Sequence, residues 1–259
     1  MRWKTSQFTV VFLSAFMCGA LHAETLNAKG VKIHYIVEGK GEPVVLIHGF
    51  LSSALLNWQL PGVSGALSKD YKVILMDVRG HGASDKPVDD AAYGTEMVED
   101  VVRILDELKI SKAHIVGYSM GGMIAGKLMV LHPDRVKSVA LCGMGWLQDG
   151  SLLQKFWEGV GKDGRRKEGE QKNESFAACA RSFAKLANTE AEMKAVKVPF
   201  SVIVGEKDIV KLLYVLPLQA IRKDVPVTEI PEGDHFSTIL KPEFKDAIKK
   251  WLDKQTEKK

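Results

Sequence analysis

Cysteine is scarce in this chain: Cys18, Cys142 and Cys179 are the only three among 259 residues. So few exclude a small disulfide-stapled scaffold, and their spacing offers no zinc-ligand pattern. A bridge between Cys142 and Cys179 stays open, beside the plainer reading of two buried apolar side chains. Excess charge of one sign is scarce too. The formal net charge is +4, and two of the cations, Arg2 and Lys4, sit at the very start. A surplus this small argues against nucleic acid or an anionic membrane as partner. No internal repeat is visible, which excludes a solenoid or propeller.

What is present fits a soluble globular protein, with 46% apolar and 26% charged residues. The length allows one large domain carrying an insertion.

The first residues read differently from the rest. Arg2 and Lys4 form a basic head, Phe8 to Ala20 is almost uncharged and apolar, and no acid precedes Glu24. This is the three-part pattern of a secretory signal peptide, with Ala23 expected as the last residue removed. The apolar run is shorter than the about 20 residues a membrane span needs. An uncleaved anchor is the alternative, and Met17 argues against a lipoprotein site at Cys18. The mature chain is therefore expected in the periplasm or outside the cell, with no stable membrane insertion.

Thr25 to Gly39 reads as a hairpin turning at Lys29-Gly30. Short apolar runs follow at Val44–Ile47, Val73–Met76, His114–Gly117, Val139–Cys142, Phe200–Val204 and Val227–Ile230. Several lack polar alternation, as strands buried on both faces do. Helical spacing marks Glu96–Leu108, Met120–Leu131 and Pro242–Leu252. Strands alternating with helices predict an α/β fold around a mostly parallel sheet. Residues 143–198 break the rhythm. They hold a helical stripe over Leu152–Val160, a charged stretch Gly161–Asn173, a second stripe of Phe176, Ala180, Phe183, Ala184 and Ala187, and a capping box at Thr189–Glu192. These predict a helical cap inserted between core segments 24–142 and 199–259.

The strongest chemical signal is Gly117-Tyr118-Ser119-Met120-Gly121-Gly122, placed between a predicted strand and a predicted helix. Such a turn brings the residues two before and two after the serine close together, so only small side chains fit there. The serine is then strained and outward-pointing, beside the free N–H groups of a helix N-terminus. A serine hydroxyl needs a base. His235, in the loop after the last strand, is the best placed. His34 and His114 lie in strands, and His132 closes a helix. The base in turn needs a carboxylate. Asp208 follows a strand at its carboxyl end, where open α/β sheets place their sites. Glu206 and then Asp234 are its competitors.

These elements together resemble the α/β-hydrolase family over nearly the whole chain beyond the leader. The order Ser119, Asp208, His235 matches that family's nucleophile–acid–histidine order. The resemblance implies a mostly parallel, doubly wound sheet of about eight strands with an N-terminal antiparallel hairpin and an inserted cap. His48-Gly49-Phe50 resembles the oxyanion loop, so the backbone N–H groups of Phe50 and Met120 would hold the oxyanion and His48 would order the loop. Asp77 to Asp85 resembles the next loop of the family, with Asp77, Arg79 and His81 expected to be structural. Epoxide hydrolases and haloalkane dehalogenases of this fold use an Asp nucleophile, and here the position is Ser119.

The function implied is a serine hydrolase of small to medium carboxylic esters, with a small-molecule acyl substrate and no metal or organic cofactor. Trp146, Phe156 and Trp157 are candidate substrate contacts; Phe176 and Phe183 either join them or pack the cap onto the body. A carbon–carbon hydrolase of vinylogous keto-acids is the main alternative, which a pocket-facing cap arginine such as Arg181 would favour. A cofactor-free haloperoxidase, an interfacial lipase, and a ligand-binding receptor on the same fold are further readings. The oligomeric state is not legible.

Overall fold

The computed structural model describes residues 22–150, 155 and 170–256. The expected leader lies outside them except for His22 and Ala23, which already pair with Val37 and Ile36 in the first strand. Also outside are the stripe over Leu152–Val160, Lys155 apart, and most of Gly161–Asn173.

Among the described residues, eight strands form one sheet in the order β1-β2-β4-β3-β5-β6-β7-β8. β1 (His22–Ala28) and β2 (Val31–Glu38) make the hairpin, turning at Lys29 and Gly30 with positive φ of 54° and 90°. β2 then pairs antiparallel with β4 (Tyr71–Met76), and every later pairing is parallel. These are β3 (Glu42–Ile47), β5 (Ala113–Tyr118), β6 (Val136–Cys142), β7 (Phe200–Gly205) and β8 (Val227–Ile230). The unalternated apolar runs have their reason here. Val45 and Ile47 of β3 face one core, while Val44 and Leu46 face the other, and all four are fully buried.

Helices cover both faces. α1 (Val63–Leu67) lies with Trp58 on one side. α2 (Thr95–Glu107) lies on the other and buries Met97, Val98, Val101, Ile104 and Leu105. Each such side chain contributes about 1.5–3 kcal/mol. α3 (Met120–Leu131) shares that face and stops before Pro133. In the inserted region come α4 (Glu170–Arg181) and α5 (Glu190–Ala195), the latter opened by the Thr189–Glu192 capping box. α6 (Leu216–Ile221) precedes β8, and α7 (Pro242–Thr256) closes the chain against the first face through Phe244, Ile248 and Leu252.

One expectation needs correction. The stripe Phe176–Ala187 is not a single helix: α4 ends at Arg181 and Phe183–Leu186 is a separate 3₁₀ turn. The Ser182 hydroxyl donates to the Cys179 carbonyl at 2.6 Å, and this local bond competes with helix continuation.

The parallel strands carry their following loops to one edge of the sheet. His48, Ser119, Asp208 and His235 all follow the ends of β3, β5, β7 and β8 there.

Candidate active site

β5 ends at Tyr118 and α3 opens at Met120, so Ser119 alone makes the turn. Its φ of 52° and ψ of −112° are unusual for a residue with a side chain and cost about 1–3 kcal/mol. The surrounding glycines make the turn possible. A Cβ on Gly117 would overlap the Gly121 carbonyl, and a Cβ on Gly121 would overlap that of Ile47. The Ser119 amide donates to the Cys142 carbonyl at 2.8 Å, which ties the strained residue to β6.

Three expected side chains meet in series. The Ser119 hydroxyl donates to Nε2 of His235 at 3.0 Å, and Nδ1–H of His235 donates to Oδ2 of Asp208 at 2.9 Å. The direction follows from the carboxylate, which only accepts, so the ring's proton sits on Nδ1 and Nε2 is left as the acceptor. Asp208 is fully buried at its side chain, and its other oxygen takes the Val210 amide at 2.9 Å. The arrangement can draw a proton from the hydroxyl onto the imidazole and hold the resulting cation beside a buried anion.

The competing acids are occupied elsewhere. Glu206 accepts the Glu232 amide at 2.9 Å. Asp234 folds onto its own loop, accepting the amides of Ser237 and Phe236. Those bonds hold its carboxyl below the usual range. Glu206 also helps join the β7 and β8 loops, together with the Lys207 amide donating to the Gly233 carbonyl at 2.8 Å. Asp208 and His235 thus ride on one tied pair of loops.

The β3 loop approaches from the other side. A Cβ on Gly49 would stand 3.4 Å from the Ser119 Cβ, and the Gly49 amide donates to Oδ1 of Asn57 at 2.7 Å. Phe50 follows on this loop and Met120 opens α3, so the two expected oxyanion donors lie on the elements that adjoin Ser119. His48 is fully buried beneath. Its Nε2 accepts the Val78 amide at 3.0 Å, and its Nδ1–H donates to the Gly49 carbonyl at 2.7 Å. Burial pushes its pKa down, so the ring stays neutral. Asp77 accepts the amides of Ala54 and Ala83 and the Nδ1–H of His34, pinning the loop from below. Arg79 makes a buried bidentate pair with Asp100 at 2.6 Å for both bonds. His81 is buried, its ring 5.3 Å from that of His48. These side chains serve the architecture.

The inserted region rests on Phe50. Its ring lies edge-on to Phe176 and Phe183 at 5.7 and 5.4 Å, so both phenylalanines seat α4 and the following turn on the body. Trp146 is buried in the core, its indole N–H donating to the Asn188 carbonyl at 2.7 Å. Phe156 and Trp157 lie outside the described residues. Arg181, the cap cation considered for an anionic substrate, makes a bidentate surface pair with Asp90 at 2.7 and 2.5 Å. Cys142 and Cys179 are free, buried thiols, pushed up in pKa by burial. Among the described residues no cluster of three or more His, Cys, Asp or Glu is arranged to hold a metal ion.

Two residues of this site escaped sequence reasoning. Asn57 had no signal, because it lies in a π-helical turn, Leu55–Gln59, that the apolar spacing does not mark. Tyr118 donates its hydroxyl to the His235 carbonyl at 2.7 Å. Its place inside the elbow was visible, but its reach was not.

Comparison with known proteins agrees with this architecture. The model of the alpha/beta hydrolase fold family matches residues 42–166. Epoxide hydrolase 3 of Siraitia grosvenorii is 37% identical over 118 residues, 44% of this chain and 36% of that one. The 2-hydroxymuconate semialdehyde hydrolase of Pseudomonas sp. (strain CF600) is 39% identical over 119 residues, 45% of this chain and 41% of that one. In both cases the match spans less than half of the relative's length. Among solved structures, a thermophilic esterase from Thermogutta terrifontis superposes with a TM-score of 0.76 at 21% identity, covering 90% of this chain and 99% of that one. That last likeness is one of fold.

Proposed function

We propose that this chain, a hydrolase of the α/β-hydrolase fold, is a serine hydrolase cleaving small to medium carboxylic esters through an acyl-enzyme at Ser119. The observation that carries the reading is the unbroken hydrogen-bonded series Ser119–His235–Asp208. The Ser119 oxygen attacks the ester carbonyl carbon while its proton passes to Nε2 of His235. Asp208 stabilises the imidazolium through Nδ1–H. The carbonyl oxygen, now negative, takes the N–H groups of Phe50 and Met120; one such donor is worth about 3–4 kcal/mol. His235 then protonates the departing alkoxide as the carbon–oxygen bond breaks. A water attacks the acyl-enzyme by the same route, giving the acid and restoring the serine.

Two relatives carry names that point to other substrates, an epoxide and a semialdehyde. An oxygen nucleophile on serine does not fit the Asp chemistry that epoxide opening on this fold employs. A keto-acid substrate would be anionic, and the cap cation considered for it, Arg181, is engaged by Asp90. Turnover of p-nitrophenyl acetate without turnover of a dienoic keto-acid is the outcome this reading expects. The reverse result assigns carbon–carbon cleavage. Saturable binding of ester with no turnover and no acyl-enzyme assigns a receptor. The same reading has the chain exported behind residues 1–23, with Glu24 as the first residue on N-terminal sequencing of the mature protein.

A further inference from the structure

The steric rule of the elbow constrains the residues around Ser119 but leaves position 118 free, and a tyrosine there has no part in making the turn. Its side chain is directed elsewhere. The Tyr118 hydroxyl donates to the backbone carbonyl of His235 at 2.7 Å. The phenol packs against the imidazole, ring centres 5.7 Å apart, and meets the Phe244 ring edge-on, also at 5.7 Å. Space for it is made at the end of β6. Gly143 has a positive φ of 53°, and a Cβ there would stand 3.1 Å from the Tyr118 ring. Burial drives the phenol's pKa up, so it remains a donor at any working pH.

The two halves of the relay are otherwise separately mounted. Asp208 and His235 sit on the β7 and β8 loops, which are tied to each other by Lys207–Gly233 and Glu206–Glu232 bonds. Ser119 sits on the β5–α3 turn, tied to β6. Among the described residues, two hydrogen bonds join the turn to the loop pair: the Ser119–His235 contact itself and the Tyr118–His235 carbonyl bond. The first must break and reform during turnover as the proton moves. The second is untouched by the chemistry.

We infer that Tyr118 is a positioning residue, a latch that holds the backbone of the base in register with the nucleophile next to it in the chain. The inference rests on the serine hydrolase reading. Its effect falls on the reacting geometry rather than on substrate binding, since small displacements of a base cost rate.

Tyr118→Phe keeps the ring and removes the donor; Tyr118→Met is a second donor-free variant. With p-nitrophenyl acetate, the expected result for either folded variant is a roughly 10-fold lower kcat with KM within about twofold. The rate of organophosphonate labelling at Ser119 falls in parallel, and the downfield Nδ1 proton resonance of His235 broadens. Phe244→Leu, which loosens the same packing but leaves the hydroxyl, lowers the melting temperature without reproducing the kcat loss. Unchanged kcat and an unchanged His235 resonance in a folded variant overturn the latch. Failure of both variants to fold overturns it too, since Tyr118 is then structural. A wild type that neither turns over esters nor labels at Ser119 instead defeats the hydrolase reading, and the two failures are distinguishable.

Discussion

Nε2 of His48 accepts the Val78 amide at 3.0 Å, and this single bond fixes the protonation of a fully buried ring. A backbone N–H can only donate, so Nε2 carries no proton and Nδ1–H is left to hold the Gly49 carbonyl at 2.7 Å. A second proton would have to displace the Val78 bond. Burial accordingly depresses the pKa of His48.

The sign of the resulting pH dependence follows. Below about pH 6.5 the unfolded chain takes up a proton on this histidine that the native ring refuses. Stability should then fall by up to about 1.4 kcal/mol per pH unit as pH drops, until the native ring itself titrates. Urea midpoints at pH 7.5 and 5.5 measure it. His48→Gln, which has no such proton to gain, should show the shallower drop between the two; equal drops would remove His48 from the account.

Gly121 gives a steric test of the elbow. A methyl group there would overlap the Ile47 carbonyl and stand 2.9 Å from that of His48, and neither backbone atom can swing aside. Gly121→Ala should lose about 3 kcal/mol, near 10 °C in Tm for a domain of this size. Thermal unfolding followed by circular dichroism checks this, with Gly65→Ala, where nothing lies within 4 Å, as the comparison.

Asp100 is buried between Arg79 and Arg103, accepting from both. Asp100→Ala leaves the Arg79 guanidinium, itself 2% exposed at the side chain, without its hydrogen-bonded carboxylate and with Glu96 3.9 Å away as its nearest remaining anion. The expected loss is about 3–5 kcal/mol in a urea titration. Replacing Arg79 and Asp100 together by Met and Leu should recover much of that loss.

The choice of acid is open to kinetics. Asp208→Asn keeps the shape but reverses the donor on one side of the His235 ring, and kcat should fall by about 10⁴. Glu206→Gln, whose amide oxygen can still accept the Glu232 amide, should retain most of its turnover. Comparable losses from both would reassign the carboxylate.

Much of this was legible in the chain, for identifiable reasons. Val44–Ile47 and Val73–Met76 read as strands because burial on both faces leaves no polar alternation. α3 was legible to the residue, since the turn at Ser119 precedes it and Pro133 follows its end. Spacing alone could not separate Asp208 from Glu206, because both follow β7 within three residues; in the structure it is Asp208 that accepts from His235, while Glu206 accepts the Glu232 amide. The turns at Leu55–Gln59 and Lys211–Val215 went unread because Leu55, Leu56, Leu212 and Leu213 are exposed, so their apolar spacing marks no buried face. The stripe from Phe176 to Ala187 misled in the opposite sense: Ala180 before the helix break at Ser182 and Phe183 after it are both buried, and periodicity cannot see a break whose flanking residues stay inside.

The central claim is that one hydroxyl, on Ser119, is made nucleophilic by His235. Its most direct test is peptide mass mapping after brief exposure of the wild-type protein to an organophosphonate ester, beside the same treatment of His235→Ala. The expected result is a single stoichiometric adduct on the peptide containing Ser119, formed at least about 10³-fold more slowly in the variant. An adduct elsewhere, or labelling of Ser119 at the same rate without His235, would contradict it.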